Sequence, residues 1–373
     1  MKIGITCYPT VGGSGVIAAE LGKALARNGH DVHFIASSIP YRLDEAQDGI
    51  YFHEVQVNSY AVFQYPPYDL ALASKMADII KQEKLDVLHV HYAVPHAVSA
   101  FLAREMTDHP VKIVTTLHGT DITVLGYDPS LSDIIRFGIE RSDEVTAVSN
   151  DLIRQTHELL HTTKQITPVY NFVDDSVYYK RPDTGLKESL GIPSDVPVMT
   201  HVSNFRKVKR VEDVVETFIR VRRHMDVRLL LIGDGPELPV IRSMVRQEGL
   251  EPWVHITGTQ KRVAELLSIS DVKLLLSSKE SFGLVLLEAM ACGVPVIGSD
   301  AGGIPEVIDE GVTGYVVPVG DTEAAARKAI HILTNPSLRK QMGEDAVKRT
   351  AVKFNKQAIV DDYVNVYQKA CNR

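Results

Sequence analysis

At 373 residues the chain is too long for one ordinary hydrophobic core, and size scaling predicts two domains. A composition of 45% apolar and 23% charged residues is that of a globular protein, and a formal net charge of −7 excludes a general nucleic-acid binder, whose phosphate contacts need a basic surface. Cys7, Cys292 and Cys371 stand far apart with no CxxC or Cys/His spacing, so neither a disulfide framework nor a zinc site is expected.

The opening "MKIGITCY" has the alternating β-branched character of a first strand rather than a basic region followed by an apolar signal segment. Further strands are predicted at "DVHFIA", "YFHEVQV", "DVLHVHY", "VKIVTTL" and "EVTAV". Between them lie helical stretches such as "GVIAAELGKALARNG" and "DLALASKMADIIKQEK", apolar at three- and four-residue spacing. Residues 171–195 are polar and rich in Pro and Gly, and read as a linker and the entry to a second domain. A new series follows: "VPVMTHV", "VRLLLIG", "WVHITG", "VKLLLSS", "VPVIG" and "GYVVPV". The expected fold is α/β, with two doubly wound domains, 1–170 and 171–354, facing a cleft. A last helix, 355–373, is available to pack back on the first. Glu288 interrupts the longest apolar run, so no segment reaches the roughly 18 uncharged residues of a membrane span, and a cytoplasmic chain is expected.

Four stretches carry candidate chemistry. The first, "YPTVGGSGVIAAELG", passes from strand through Gly12, Gly13, Ser14 and Gly15 into a helix, so backbone N–H groups can face a phosphate or an incoming acceptor. The spacing is neither GxGxxG nor a P-loop, and a tight strand-to-helix turn is the other reading. The second comprises "HVHYAVPH" and "TTLHGTDITVLGYDPS", at the carboxyl ends of two strands. His89 and His91 share a strand face but lack a third ligand spacing, whereas His118 is placed to meet a ligand.

The third, "SNFRKVKR", sets Arg206, Lys207, Lys209 and Arg210 after the first strand of the second domain, where a diphosphate is a natural partner; a solvated basic face is the alternative. The fourth is "ESFGLVLLEAMACGVPVIG", of the form Glu-x7-Glu. With Ser281 as N-cap and Gly283 opening a helix, Glu280 would sit above the helix N-terminus and Glu288 in its second turn. A carboxylate only accepts hydrogen bonds, so pairs of sugar hydroxyls suit both; pairing of Glu288 with a core arginine is the rival reading.

On these motifs the chain resembles the retaining glycosyltransferases of the two-domain GT-B type, whose hallmark is the Glu-x7-Glu seen at Glu280 and Glu288. The stretches "ITCYPTVGGSG", "YPPYDLALASK", "TTLHGTDITVLGYDPSL", "HVSNFRKVKR" and "KESFGLVLLEAMACG" resemble the branch that transfers N-acetylglucosamine from UDP-N-acetylglucosamine to L-malate in bacillithiol biosynthesis. The resemblance implies an acceptor-binding first domain and a nucleotide-sugar-binding second one. It assigns Glu288 to the ribose hydroxyls, Glu280 to the sugar 3-hydroxyl, and the backbone amides of Ser281, Phe282, Gly283 and Leu284 to the diphosphate and sugar.

Lys209 matches the family's diphosphate lysine. The usual arginine five positions earlier is Asn204 here, and Arg206 is the expected second cation. His118 matches the histidine that contacts the donor's 6-hydroxyl, and Gln260 falls where relatives hold uracil through backbone groups. Tyr92, Thr116 and Arg136 match acceptor residues, with Ser14 a further candidate. His118, Arg206, Lys209 and Glu280 are the expected catalytic set. No metal or other cofactor, nucleic acid or membrane is implied as partner, and a homo-oligomer is compatible.

Three rivals are weighed by chemistry. A glycoside hydrolase needs one carboxylate as acid and the other as base or nucleophile. A sugar-nucleotide dehydrogenase or epimerase needs the dinucleotide fingerprint. A transferase of polysaccharide or glycolipid assembly would be expected to carry a basic amphipathic helix in the first domain, and none is convincing.

Overall fold

The computed structural model describes residues 1–10, 12–43, 47–57 and 65–372; Val11 of the glycine stretch and Arg373, the end of the expected last helix, lie outside them. The chain divides into two compact units, Met1–Asn171 with Lys356–Arg373, and Phe172–Asn355.

The first unit is one parallel sheet of seven strands: β1 (Lys2–Thr6), β2 (Asp31–Ala36), β3 (Ile50–Glu54), β4 (Val87–His91), β5 (Lys112–Leu117), β6 (Glu144–Ala147) and β7 (Ile166–Pro168). Its order is β3-β2-β1-β4-β5-β6-β7. β1, β4 and β5 are buried almost throughout, as strands covered on both faces are, and β4 and β5 carry buried His89, His91, Thr115 and Thr116 among their apolar residues. The edge strand β3 is half exposed. The three-residue β7 was not expected from the sequence. "ITP" is too short to show a period of two, and only pairing with β6 makes it a strand.

Helices α1 (Gly13–Arg27), α2 (Tyr68–Glu83), α3 (Val98–Glu105), α4 (Ser132–Arg141) and α5 (Asn150–Leu160) lie between these strands. Gly15 is required at the start of α1, because a Cβ there would stand 2.7 Å from the carbonyl oxygens of Tyr8 and Thr10.

The second unit holds α6 (Leu186–Ser189), β8 (Val198–Val202), α7 (Val211–Arg222), β9 (Arg228–Ile232), α8 (Leu238–Gln247), β10 (Val254–Gly258), α9 (Val263–Ser268), β11 (Val272–Leu275), α10 (Leu284–Ala291), β12 (Val296–Ser299), α11 (Ile304–Val307), β13 (Gly314–Val317), α12 (Thr322–Leu333) and α13 (Pro336–Lys353). Its six parallel strands run β10-β9-β8-β11-β12-β13. Met199, Phe218, Leu229, Val272 and Ile297 form the centre of a core closed by α7 and α12.

The closing helix α14 (Lys356–Cys371) belongs to the first unit. Tyr363 and Tyr367 are fully buried in it, and ion pairs from Lys356 to Glu20 (3.3 Å) and Lys369 to Glu144 (2.9 Å) tie down its two ends.

In each sheet the strand order reverses once, between β1 and β4 and between β8 and β11. Loops leaving adjacent strands on opposite faces open a crevice there, at the carboxyl ends, which is where open parallel sheets bind ligands.

Candidate active site

At the reversal in the second unit, the loop after β8 meets the loop after β11. The first bends sharply at Phe205 (φ 28°), whose ring is fully buried, then makes a 3-10 turn over Lys207–Lys209. That turn points Lys209 Nζ at Glu280 Oε2, 2.6 Å away, both side chains 16% exposed. Ser278 N–H donates to the Val208 carbonyl at 2.8 Å, clamping one loop to the other. Ser277 Oγ stands 3.5 Å from the same Glu280 oxygen. From the β12 side, Gly303 N–H donates to the Glu280 carbonyl at 3.0 Å, and a Cβ on Gly302 would lie 1.8 Å from that carbonyl. Glycine there lets a third loop close over Glu280.

α10 begins at Leu284, with Gly283 (φ 94°) as its N-cap. This corrects the expectation of Ser281 as cap: the left-handed conformation at 283 sets the reversal into the helix, and only glycine adopts it without strain. Phe282 is buried, and its ring meets Phe354 edge-on at 5.7 Å. Glu288, five residues into the helix, is 9% exposed.

The basic stretch separates on folding. Lys209 joins Glu280, Arg210 turns back to Asp213 (2.6 Å), and Arg206 and Lys207 are exposed. Asn204 is exposed, its carbonyl backing onto Gly235, and the Gln260 amide donates to the Thr257 carbonyl at 2.6 Å.

Two groups here escaped sequence reasoning. His201 is buried between the Leu274 carbonyl (3.0 Å) and Ser203 Oγ (2.8 Å), and burial, with Lys273 nearby, holds its pKa far below the usual value, so it is neutral. Lys273 lies fully buried in β11. Its signal was present as a lone lysine inside the apolar "VKLLL".

At the reversal in the first unit, the glycine loop and the loop after β4 meet through Ser14 Oγ and Tyr92 OH, 2.7 Å apart. Tyr8 packs against Tyr92 (5.6 Å between ring centres) and His96 (4.6 Å), and Tyr92 against His118 (5.3 Å). His118 Nε2 lies 2.7 Å from His91 Nδ1. Burial pushes the His118 pKa down to about 3 and the Tyr92 phenol up to about 12, so both are neutral at physiological pH.

Asp121, also missed, is the fully buried tie between the loop after β4 and the loop after β5, accepting the Ala93 and Gly119 N–H groups at 3.0 Å each. Burial raises its pKa to about 6 against the pull of those hydrogen bonds. His89 is unavailable to a metal: Tyr367 OH (2.8 Å) and Thr116 Oγ1 (2.7 Å) take its two ring nitrogens.

Thr116 requires a correction. Its hydroxyl is fully buried between His89 and Thr146 Oγ1 (2.7 Å), beneath α14, so the side chain belongs to the core and not to an acceptor pocket. Arg136 pairs with Asp133 on its own helix at 2.9 Å. Among the described residues, no hydrogen bond or ion pair joins it to Ser14 or Tyr92.

Two doubly wound parallel sheets, each with a polar crevice at its reversal point, are the architecture of the GT-B glycosyltransferases, and the sequence comparisons put the chain in that class. The family model described as Glycosyltransferase Family 4 matches residues 11–177, and that described as Glycosyl transferases group 1 matches residues 183–349. The chain belongs to this glycosyltransferase family.

It is 58% identical over 367 residues, 98% of this chain and 96% of the relative, to the N-acetyl-alpha-D-glucosaminyl L-malate synthase of Bacillus anthracis. Among solved structures, sucrose-phosphate synthase of Thermosynechococcus elongatus superposes with a TM-score of 0.84 at 22% identity, over 99% of this chain and 98% of that one. The Anabaena protein HepE, solved with UDP-glucose, gives 0.82 at 20% identity over 99% of each chain. At such identities the likeness is one of fold.

Proposed function

We propose that this chain transfers N-acetylglucosamine from UDP-N-acetylglucosamine to the hydroxyl of L-malate, with retention, giving N-acetyl-α-D-glucosaminyl L-malate and UDP. The observation that carries this reading is the 58% identity spread over nearly the whole of both chains.

The second unit serves as the donor domain. Glu288 accepts hydrogen bonds from the ribose hydroxyls, and Glu280 from the sugar 3-hydroxyl. Lys209, with Arg206 beside it, meets the diphosphate, and the amides of Ser281, Phe282, Gly283 and Leu284 add donors. The 2.6 Å Lys209–Glu280 contact supports this division, because it sets one cation and one hydroxyl acceptor side by side, where a sugar joins its phosphate. The bond from C1 to the diphosphate breaks as malate's hydroxyl bonds to C1 on the same face, and the hydroxyl proton passes to the departing phosphate oxygen. Charge stabilisation of the leaving diphosphate is then the main catalytic contribution. The amides and cations of this chain provide it without requiring a metal.

The first unit serves as the acceptor domain. Ser14 and Tyr92, joined at 2.7 Å, offer hydroxyls to malate, and His118 beside them is neutral, suited to hydrogen bonding rather than to ion pairing.

The test is incubation with UDP-N-acetylglucosamine and L-malate without added metal, following UDP release and product mass. Release that depends on malate and an α anomeric coupling constant are expected. Absence of malate-dependent release overturns the proposal.

A further inference from the structure

The bend that launches Lys209 is held by a chain of directional hydrogen bonds. His201, fully buried in β8, stands 3.0 Å from the Leu274 carbonyl through Nδ1, and a carbonyl only accepts, so Nδ1 carries the proton and donates. Burial keeps the ring neutral, which leaves a lone pair on Nε2. The Ser203 hydroxyl, 2.8 Å away, therefore donates to Nε2. Its oxygen in turn accepts the Phe205 N–H at 3.2 Å.

Phe205 needs that support. Its φ of 28° lies in a region that residues with side chains rarely adopt, and such a conformation persists only where the surroundings over-determine it. The buried ring anchors the side chain, the Glu237 N–H donates to the Phe205 carbonyl at 2.9 Å, and Ser203 holds the N–H. The 3-10 turn Lys207–Lys209 follows at once, closed by the Lys209 N–H on the Arg206 carbonyl at 2.7 Å. A change of φ at Phe205 swings everything after it, and Lys209 Nζ is the end of that lever. The chain of hydrogen bonds also starts on β11, the strand whose following loop carries Glu280. Cation and carboxylate are thus both registered against one strand.

Resting on the reading that Lys209 meets the donor's diphosphate, we propose that Ser203 is a positioning residue for Lys209: with its hydrogen committed to His201, its oxygen fixes the Phe205 bend and so places the lysine ammonium at the leaving group before the donor arrives. Ser203 touches no substrate in this role; it acts through Lys209. A cation aimed in advance spares the reaction the cost of ordering a long, flexible side chain as charge develops.

The experiment is a double-mutant cycle on the full-length chain: wild type, Ser203→Ala, Lys209→Met and the double variant, read by calorimetry of UDP binding, by kcat at saturating donor and by melting temperature. Ser203→Ala should weaken UDP binding about three- to tenfold and lower kcat about tenfold or more, with the KM for malate unchanged and the melting temperature within a few degrees, about, of wild type. In the Lys209→Met background the same substitution should change neither UDP affinity nor kcat by more than about twofold, because the group it positions is gone. Ser203→Cys, whose thiol is a poor acceptor, carries the same expectation if the alanine variant does not fold. UDP binding reads the cycle whichever acceptor the chain uses, so a failure of the malate assay leaves this test standing. Losses that persist in full in the Lys209→Met background overturn the proposal alone, as do wild-type UDP affinity and kcat in Ser203→Ala when Lys209→Met is impaired. Wild-type UDP affinity and kcat in Lys209→Met overturn the diphosphate reading and this proposal with it.

Discussion

Lys209 Nζ and Glu280 Oε2 stand 2.6 Å apart, although the two residues are 71 positions apart in the chain. Each leaves the carboxyl end of a strand at the reversal of the second sheet, β8 for the lysine and β11 for the glutamate. With both side chains 16% exposed, the pair is open to a ligand that divides it, and on the proposed function the diphosphate takes the cation and a sugar hydroxyl the carboxylate.

Lys209→Met should therefore lower kcat by about 10²-fold or more, the usual effect of removing one preorganised donor from a developing anion. Because the site is partly wet, the melting temperature should shift by only a few degrees, about. Steady-state kinetics at saturating donor and a thermal melt check both; an unchanged kcat would remove Lys209 from the leaving-group site.

For Glu288→Ala the expectation is a loss of about 10- to 100-fold in UDP affinity, the effect of deleting a charged acceptor from two hydroxyl donors. Calorimetry of UDP binding reads it directly. A variant that unfolds instead would mark Glu288 as an internal counter-ion only.

In the first unit, Thr116→Val and Ser14→Ala should act oppositely. The Thr116 hydroxyl lies in a dry network with His89 and Thr146, so removing it should destabilise the protein by about 1–3 kcal/mol while leaving the KM for malate alone. Ser14→Ala, and Tyr92→Phe across the 2.7 Å contact, should raise the KM for malate with little change in stability. Denaturant melts and acceptor kinetics on the same preparations separate the two outcomes.

Asp121 makes a pH-dependent contribution whose sign follows from its raised pKa. Folding lifts the carboxyl from 3.8 to about 6, so the folded chain holds a proton that the unfolded chain has released. The resulting stability is fully present below about pH 4 and is lost as pH rises through about 6, by at most about 3 kcal/mol. Unfolding free energies measured between about pH 4 and 7 should show this fall in wild type, and Asp121→Asn should flatten it.

Much of this was legible in the order of residues. Alternation of short β-rich runs with amphipathic helices is set by side-chain periodicity, and it announced two parallel α/β sheets. Glu-x7-Glu, the basic stretch and the glycine loop are contiguous, and so were found as candidates. Cap and edge details were lost because they depend on backbone dihedrals and on neighbours: Gly283 displaced Ser281 as cap through a positive φ, and β7 exists only beside β6.

The residues in the sequence thus determined where strands end, and hence which side chains could stand at a strand's carboxyl end. The tertiary structure decided which of those ends meet. Thr116 stands one residue before the end of β5 as Tyr92 follows β4, yet α14, from the far end of the chain, covers the face on which Thr116 stands and encloses its hydroxyl. Of four clustered cations one reached Glu280, and Lys273, passed over in an apolar strand, came to be fully buried. Periodicity is local and can be read along the chain, but burial and counter-charge are properties of packing between segments tens to hundreds of residues apart.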